Sequence, residues 1–171
     1  MFRAPSGSRY NFGMLTITGY TTNLERNAAY LREHTTGLTH AHSLVQPPVE
    51  GNCINWILGH IMCYRNYLHT LCGLPEAAPT AATNRYARGS APVTTDGPEV
   101  LRFEELLAAY EGSQAAVLAA LPTLSADDLA EVVSAAGFTM PRGDLMTMFM
   151  RHESYHLGQF EWLRVWALNR G

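Results

Sequence analysis

Arg151-His152-Glu153-Ser154-Tyr155-His156-Leu157-Gly158-Gln159 lies near the end of the 171-residue chain, inside a proline-free run from about Asp144 to Leu168. At 100° per residue, Leu145, Met148, Phe149, His152, His156, Gln159, Phe160, Leu163 and Trp166 fall on one stripe. The run therefore reads as an amphipathic helix whose inward face is interrupted by two histidines. Histidines four residues apart sit one turn above each other, with Cβ atoms about 5–6 Å apart. Both imidazoles can then reach one metal ion at about 2.0–2.1 Å. A lone histidine on such a stripe reads as a core residue satisfied by a neighbour. A pair at this spacing puts metal binding on an equal footing with that reading. Two ligands hold a transition metal poorly, so a third is sought upstream.

It is found in the second of four helical segments. Asn52 is the expected N-cap of a helix that runs to Cys72 and is closed by Gly73. Its inward stripe is Cys53, Trp56, Ile57, His60, Cys63, Tyr64, Tyr67 and Leu71, and His60 again interrupts an apolar face. His69 falls off this stripe and reads as solvated. The first helix is expected to run to about Ala41, with Tyr20, Leu24, Ala28, Leu31, Thr35, Leu38 and His42 near one face. His34, His40 and His42 read as structural or surface residues, the last two placed where a cation suits the helix dipole. Ser43 to Gly51, with Pro47-Pro48, is a break. A third helix is bounded by Pro98 and Pro122, with Phe103, Leu106, Leu107, Tyr110, Gln114, Val117 and Leu121 at helical period. Ser125-Ala126-Asp127-Asp128 has the form of a capping box, and Val132 to Arg142 suits a brief extended piece.

Between the second and third helices runs a loop of 25 residues, Gly73 to Gly97, rich in Pro, Ala, Thr and Gly. Loops this long within a compact domain are uncommon and tend to be functional or mobile. At about 3.3 Å per residue it outreaches the ~30 Å length of the second helix, so helices two and three can run parallel. Arg85, Tyr86 and Arg88 in it are candidates to meet an anionic substrate, against the plainer reading of solvated loop residues. Residues 1–13 read as a flexible tail, with Met14 as an alternative start and the domain spanning 14–171. Four amphipathic helices make an all-α four-helix bundle, the architecture in which metal sites are built inward from facing helices.

Composition narrows the function. The net charge is −3, all twelve basic residues are arginine, and no basic footprint for nucleic acid exists. No apolar run suits a membrane span and no signal-peptide pattern opens the chain, so a cytoplasmic protein is expected. Cys53, Cys63 and Cys72, spaced by ten and nine, form neither a disulfide framework nor a zinc ribbon. They read as small buried hydrophobes, with Cys63, three residues after His60, as an outside candidate for a ligand or redox role.

His60, His152 and His156 are thus the candidate metal ligands. Three neutral nitrogens leave a coordination position for water or substrate, and suit zinc, nickel, iron or copper. Gln159, Tyr155, Trp56 and Tyr67 are candidates to support them. The stretch also spells H-E-x-x-H, in which zincins use the glutamate as base. The metzincin continuation is missing, since Gln159 and Trp162 stand at its later positions, and Glu153 lies about 100° round from His152. A packing role suits Glu153 better, and a protease ranks third.

Asn55-Trp56-Ile57-Leu58-Gly59-His60 with Arg65, Arg85-Tyr86-Ala87-Arg88-Gly89, and His152 to Gln159 together resemble the DinB/YfiT-like family of small metal-binding bundles. The match covers nearly everything from Met14 onward. The resemblance implies an up-down-down-up bundle with a long crossover between helices two and three, a homodimer, and a divalent metal on His60, His152 and His156. Zinc or nickel comes first, then iron or manganese. It also implies a small-molecule substrate and, in some relatives, a low-molecular-weight thiol. The expected function is a metal-dependent enzyme of thiol-dependent S-transferase or hydrolase type; the alternative is a non-catalytic metal-binding stress-response bundle. Met146, Met150, Leu157 and Leu168 form a second apolar line on the last helix, which suits either a second chain or cover from the long loop.

Overall fold

The computed structural model describes residues 15–170, which are mostly helical with one small sheet. The expected tail over 1–13 lies outside the described residues. Thr16 caps α1 (Ile17–Thr35), its hydroxyl accepting the Gly19 N–H at 3.1 Å. The helix does not reach Ala41. The Thr35 and Thr36 hydroxyls bond back to carbonyls of the last turn, and Gly37 reverses the chain at φ +78°. Thr39 then caps a separate short α2 (His40–Ser43).

The second expected helix is α3 (Ile54–Leu71). Cys53, not Asn52, holds the N-cap position, and its thiol donates to the Val93 carbonyl at 3.4 Å, fastening the distant loop. His69 is buried rather than solvated. Its Nδ1 meets the Pro75 carbonyl at 2.6 Å and its Nε2 the Ser113 hydroxyl at 2.9 Å, so packing by later elements decides its place.

The long loop is packed down on α3. It contains α4 (Thr80–Thr83) and a 3-10 turn (Asn84–Tyr86). Asn66 on α3 holds its start, accepting from the Ala77 and Ala78 N–H groups at 2.9 and 3.1 Å and donating to the Ala78 carbonyl. Tyr86 enters the core, its hydroxyl donating to Asn55 Oδ1 at 3.2 Å and accepting the Leu101 N–H at 2.7 Å. α5 (Phe103–Ala120) begins five residues after Pro98. Its start is set by acceptors instead: His40 Nδ1 takes the Phe103 N–H at 3.1 Å and Glu105 takes the Arg102 N–H at 3.2 Å.

Ser125 caps α6 (Ala126–Ala130) through the expected capping box with Asp128. The extended piece is a hairpin of β1 (Val132–Ala135) and β2 (Phe138–Pro141), antiparallel, with Ala135 opposite Phe138. Its two-residue turn, Ala136-Gly137, has φ of +52° and +81°, the primed geometry that matches strand twist. The last expected helix is divided into α7 (Arg142–Leu157) and α8 (Phe160–Leu168) by Gly158-Gln159.

α3 packs against α5 and α7, and α1 against α5, α7 and α8. Two apolar clusters result, one around Ile54, Leu58, Tyr86, Phe103 and Phe160, the other around Leu24, Leu68, Leu145, Phe149 and Met150. A polar layer separates them. Each contributing helix places its polar residue between the two clusters: Asn27 on α1, Arg65 on α3, Gln114 on α5, Glu153 on α7. Met146, Met150 and Leu157 are buried by the chain's own elements, so only Leu168 of the second apolar line is exposed. Among the described residues no helix is long and apolar enough to cross a membrane.

Candidate metal centre

α3 presents His60 and α7 presents His152 and His156 to a common point. One ring nitrogen of each lies within 4.8 Å of those of the other two. The Nε2 atoms of His152 and His156 are 3.1 Å apart. Three nitrogens bonded to one tetrahedral ion at about 2.0–2.1 Å would stand roughly 3.3 Å from one another.

The surroundings orient these rings. The Tyr86 carbonyl can only accept, so His60 carries its proton on Nδ1, donating at 2.8 Å, and keeps Nε2 as a lone pair. Gln159 Oε1 takes the same part for His156 Nδ1 at 2.9 Å. Trp56 stacks on His60 with centroids 4.8 Å apart, and Tyr64 lies over His152 at 3.8 Å. Gly59, just before His60, makes room for Tyr86: a Cβ there would stand 2.3 Å from the tyrosine ring. The loop carbonyl that steers His60 is therefore admitted by the glycine beside it.

Burial is the main cause of a lowered pKa at all three imidazoles. At His60 it outweighs the opposing hydrogen bond from Tyr86, with His156 and Arg88 lowering it further. His152 is pulled down to about 3 by burial, then by His156, His60 and Arg88. His156 is lowered by burial against the Gln159 bond. At neutral pH the site is three uncharged nitrogen donors, the state that metal binding requires. Three imidazole lone pairs held together could hold a metal ion, and this donor type suits several first-row cations alike.

Glu153 has no part in this cluster. It is buried on the other side of α7, where Arg65 donates to both carboxylate oxygens at 2.5 and 2.7 Å. Tyr110 and Asn27 donate to Oε1 at 2.9 and 3.1 Å, and the Arg65 guanidinium lies over the Tyr110 ring. With both oxygens engaged away from the histidines, the glutamate is not placed as a hydrolytic base, and the zincin reading falls.

A cavity of about 360 Å³ adjoins the triad across Tyr64 and is lined also by Cys63, Tyr67, Asn84, Arg88 and Phe138. The Cys63 thiol donates to the Thr83 carbonyl at 3.0 Å, and burial pushes its pKa up to about 11, so it is no nucleophile at neutral pH. Of the loop candidates, Arg85 is spent on the Ala91 and Pro92 carbonyls and Tyr86 is core. Arg88 alone reaches the cavity. Of the expected supporting residues, Gln159 and Trp56 touch the histidines directly. Tyr155 is mostly exposed beside His156, and Tyr67 lies at the cavity wall. The role of the Tyr86 carbonyl leaves no mark in side-chain patterning, whereas Tyr64, four residues after His60, carries its signal in its place on the same stripe.

The sequence matches the description "DinB superfamily" over residues 23–160. The chain belongs to the DinB superfamily. No curated protein matches this DinB-superfamily chain in sequence. Among solved structures it is similar to a conserved protein from Enterococcus faecalis, with TM-score 0.67 and 16% identity over 91% of this chain and 99% of that one. It is also similar to a mycothiol-dependent maleylpyruvate isomerase, with TM-score 0.59 and 18% identity, over 84% of this chain and 60% of that one. At such identities the likeness is one of fold.

Proposed function

We propose that this DinB-superfamily protein is a divalent-metal-dependent enzyme of thiol-dependent S-transferase or hydrolase type. The fold proposed for it is an up-down-down-up four-helix bundle over residues 14–171. The observation that carries the reading is the convergence of three neutral imidazoles, His60, His152 and His156, beside a cavity of about 360 Å³. Fold likeness to a mycothiol-dependent isomerase supports the choice of a low-molecular-weight thiol as co-substrate. When bound, a zinc or nickel ion supplies a Lewis acid that lowers the pKa of a thiol or water at an open position. The histidines hold it and transfer no proton. The Tyr86 carbonyl and the Gln159 carboxamide fix the ring orientations, while the Trp56 and Tyr64 rings shield His60 and His152 from water.

A homodimer meeting through the exposed Trp162, Val165 and Leu168 of α8 is part of the proposal. So is a cytoplasmic setting, which suits three unpaired cysteines. One observation favours a non-catalytic metal-binding bundle as second reading: the carboxylate nearest the triad in sequence, Glu153, is locked to Arg65. Metal content by mass spectrometry, paired with turnover of electrophiles with small thiols, separates the readings. The wild type is expected to hold about one metal per chain and His60→Ala far less. Metal without turnover selects the second reading, and a wild type that takes up no added metal overturns both.

A further inference from the structure

The cavity beside the triad has a chemical sign. None of the residues that line it is acidic, and Arg88 carries its one formal charge. Arg88 is exposed and makes no hydrogen bond or ion pair with any described residue, unlike Arg32, Arg65, Arg102 and Arg142, each tied to a carboxylate. The same cavity has an apolar side. Phe138, at the hairpin tip, is 41% exposed, and Tyr67 stands edge-on to Tyr64, whose ring continues onto His152. Three uncharged ligands would leave the charge of a divalent ion uncompensated, so metal and arginine together favour an anionic occupant.

We propose that this cavity binds a small organic carboxylate, with the acid group on the Arg88 guanidinium and the carbon body against Tyr64, Tyr67 and Phe138. The proposal deepens the functional reading above and rests on it for the ion's added charge and for what happens to the bound acid, while the preference for an acid over its amide rests on Arg88 alone. A guanidinium pairs with a carboxylate through charge-assisted hydrogen bonds that the corresponding neutral amide cannot match. Arg88 is thus the residue that sets substrate class, and the aromatic walls set its shape.

Isothermal titration of the full chain with phenylacetate and with phenylacetamide, alongside metal analysis of the same samples, tests this. The wild type is expected to bind the acid at least about tenfold more tightly than the amide. Arg88→Gln, at an exposed position, should lose that preference while keeping its metal. Arg26→Gln, on a separate surface, should behave as wild type. Equal affinity for acid and amide, no detectable binding of the acid, or an unchanged preference in Arg88→Gln would each overturn the proposal. So would an equal loss in Arg26→Gln. A wild type without metal that still prefers the acid would overturn the metal reading alone. Metal retained without acid preference would overturn this proposal alone.

Discussion

Each imidazole of the triad is neutral for a reason that can be named, and the reason sets a pH limit. In the unfolded chain a histidine titrates near 6.5, whereas in the folded protein His152 titrates at about 3, chiefly because it is buried. Below pH ~6.5 the unfolded state therefore binds protons that the folded state refuses. The stability held above that pH is expected to decline steadily as pH falls toward 3, with His60 and His156 contributing in the same direction. Denaturant midpoints of the metal-free protein between pH 7.5 and 4.5 check this. The His60→Ala/His152→Ala/His156→Ala triple variant should show a shallower fall. An identical slope in the two proteins would show that other groups carry the acid sensitivity.

At the scale of elements, the site depends on how closely α3 and the loop after it can approach. Adding a methyl at Gly59 puts a carbon 2.3 Å from the Tyr86 ring, which cannot be accommodated without moving the loop. Gly59→Ala is expected to cost about 1–3 kcal/mol by overpacking. Metal affinity should fall about 10–100-fold as well, because the carbonyl that orients His60 moves with Tyr86. Urea unfolding and competition with a chelator read the two effects separately. A purely structural role would leave the second unchanged.

The same elements show what the chain's patterning could and could not reveal. Helical periodicity located α3, α5 and α7 and put His60, His152 and His156 on inward faces, because apolar spacing is a local property. Helix ends were less legible. α5 starts where His40, some sixty residues upstream, offers an acceptor, and α1 stops where Gly37 takes a positive φ. The burial of His69 and Tyr86 is illegible in local patterning for a related reason: it is decided by partners far along the chain, Ser113 for the one and Asn55 with Leu101 for the other. The apolar line of Met146, Met150 and Leu157 is buried within the chain, the two methionines in the second cluster and Leu157 in the first.

Across the whole molecule, the polar layer between the two apolar clusters is the feature with the widest reach. Arg65 and Glu153 are almost wholly buried, at 1% and 4% exposure, and the Arg65 Nε and Nη2 groups donate to the two Glu153 oxygens. Removing one partner strands a charge in the interior: Glu153→Ala is expected to lose about 3–5 kcal/mol. Calorimetry should show that loss, while the fraction that remains folded still takes up metal. Complete loss of metal from a folded Glu153→Ala protein would instead make the glutamate part of the centre.

That layer also acts as an indexing pin. Arg65 follows His60 on α3, and Glu153 follows His152 on α7, so the two helices that share the ion pair also share the imidazoles. Sliding one helix past the other by a single turn, about 5.4 Å, would drag a carboxylate into hydrocarbon and separate the nitrogens in the same movement. The glutamate inside the H-E-x-x-H spelling thus stands apart from the imidazoles yet ties together the two helices that bring them to one point.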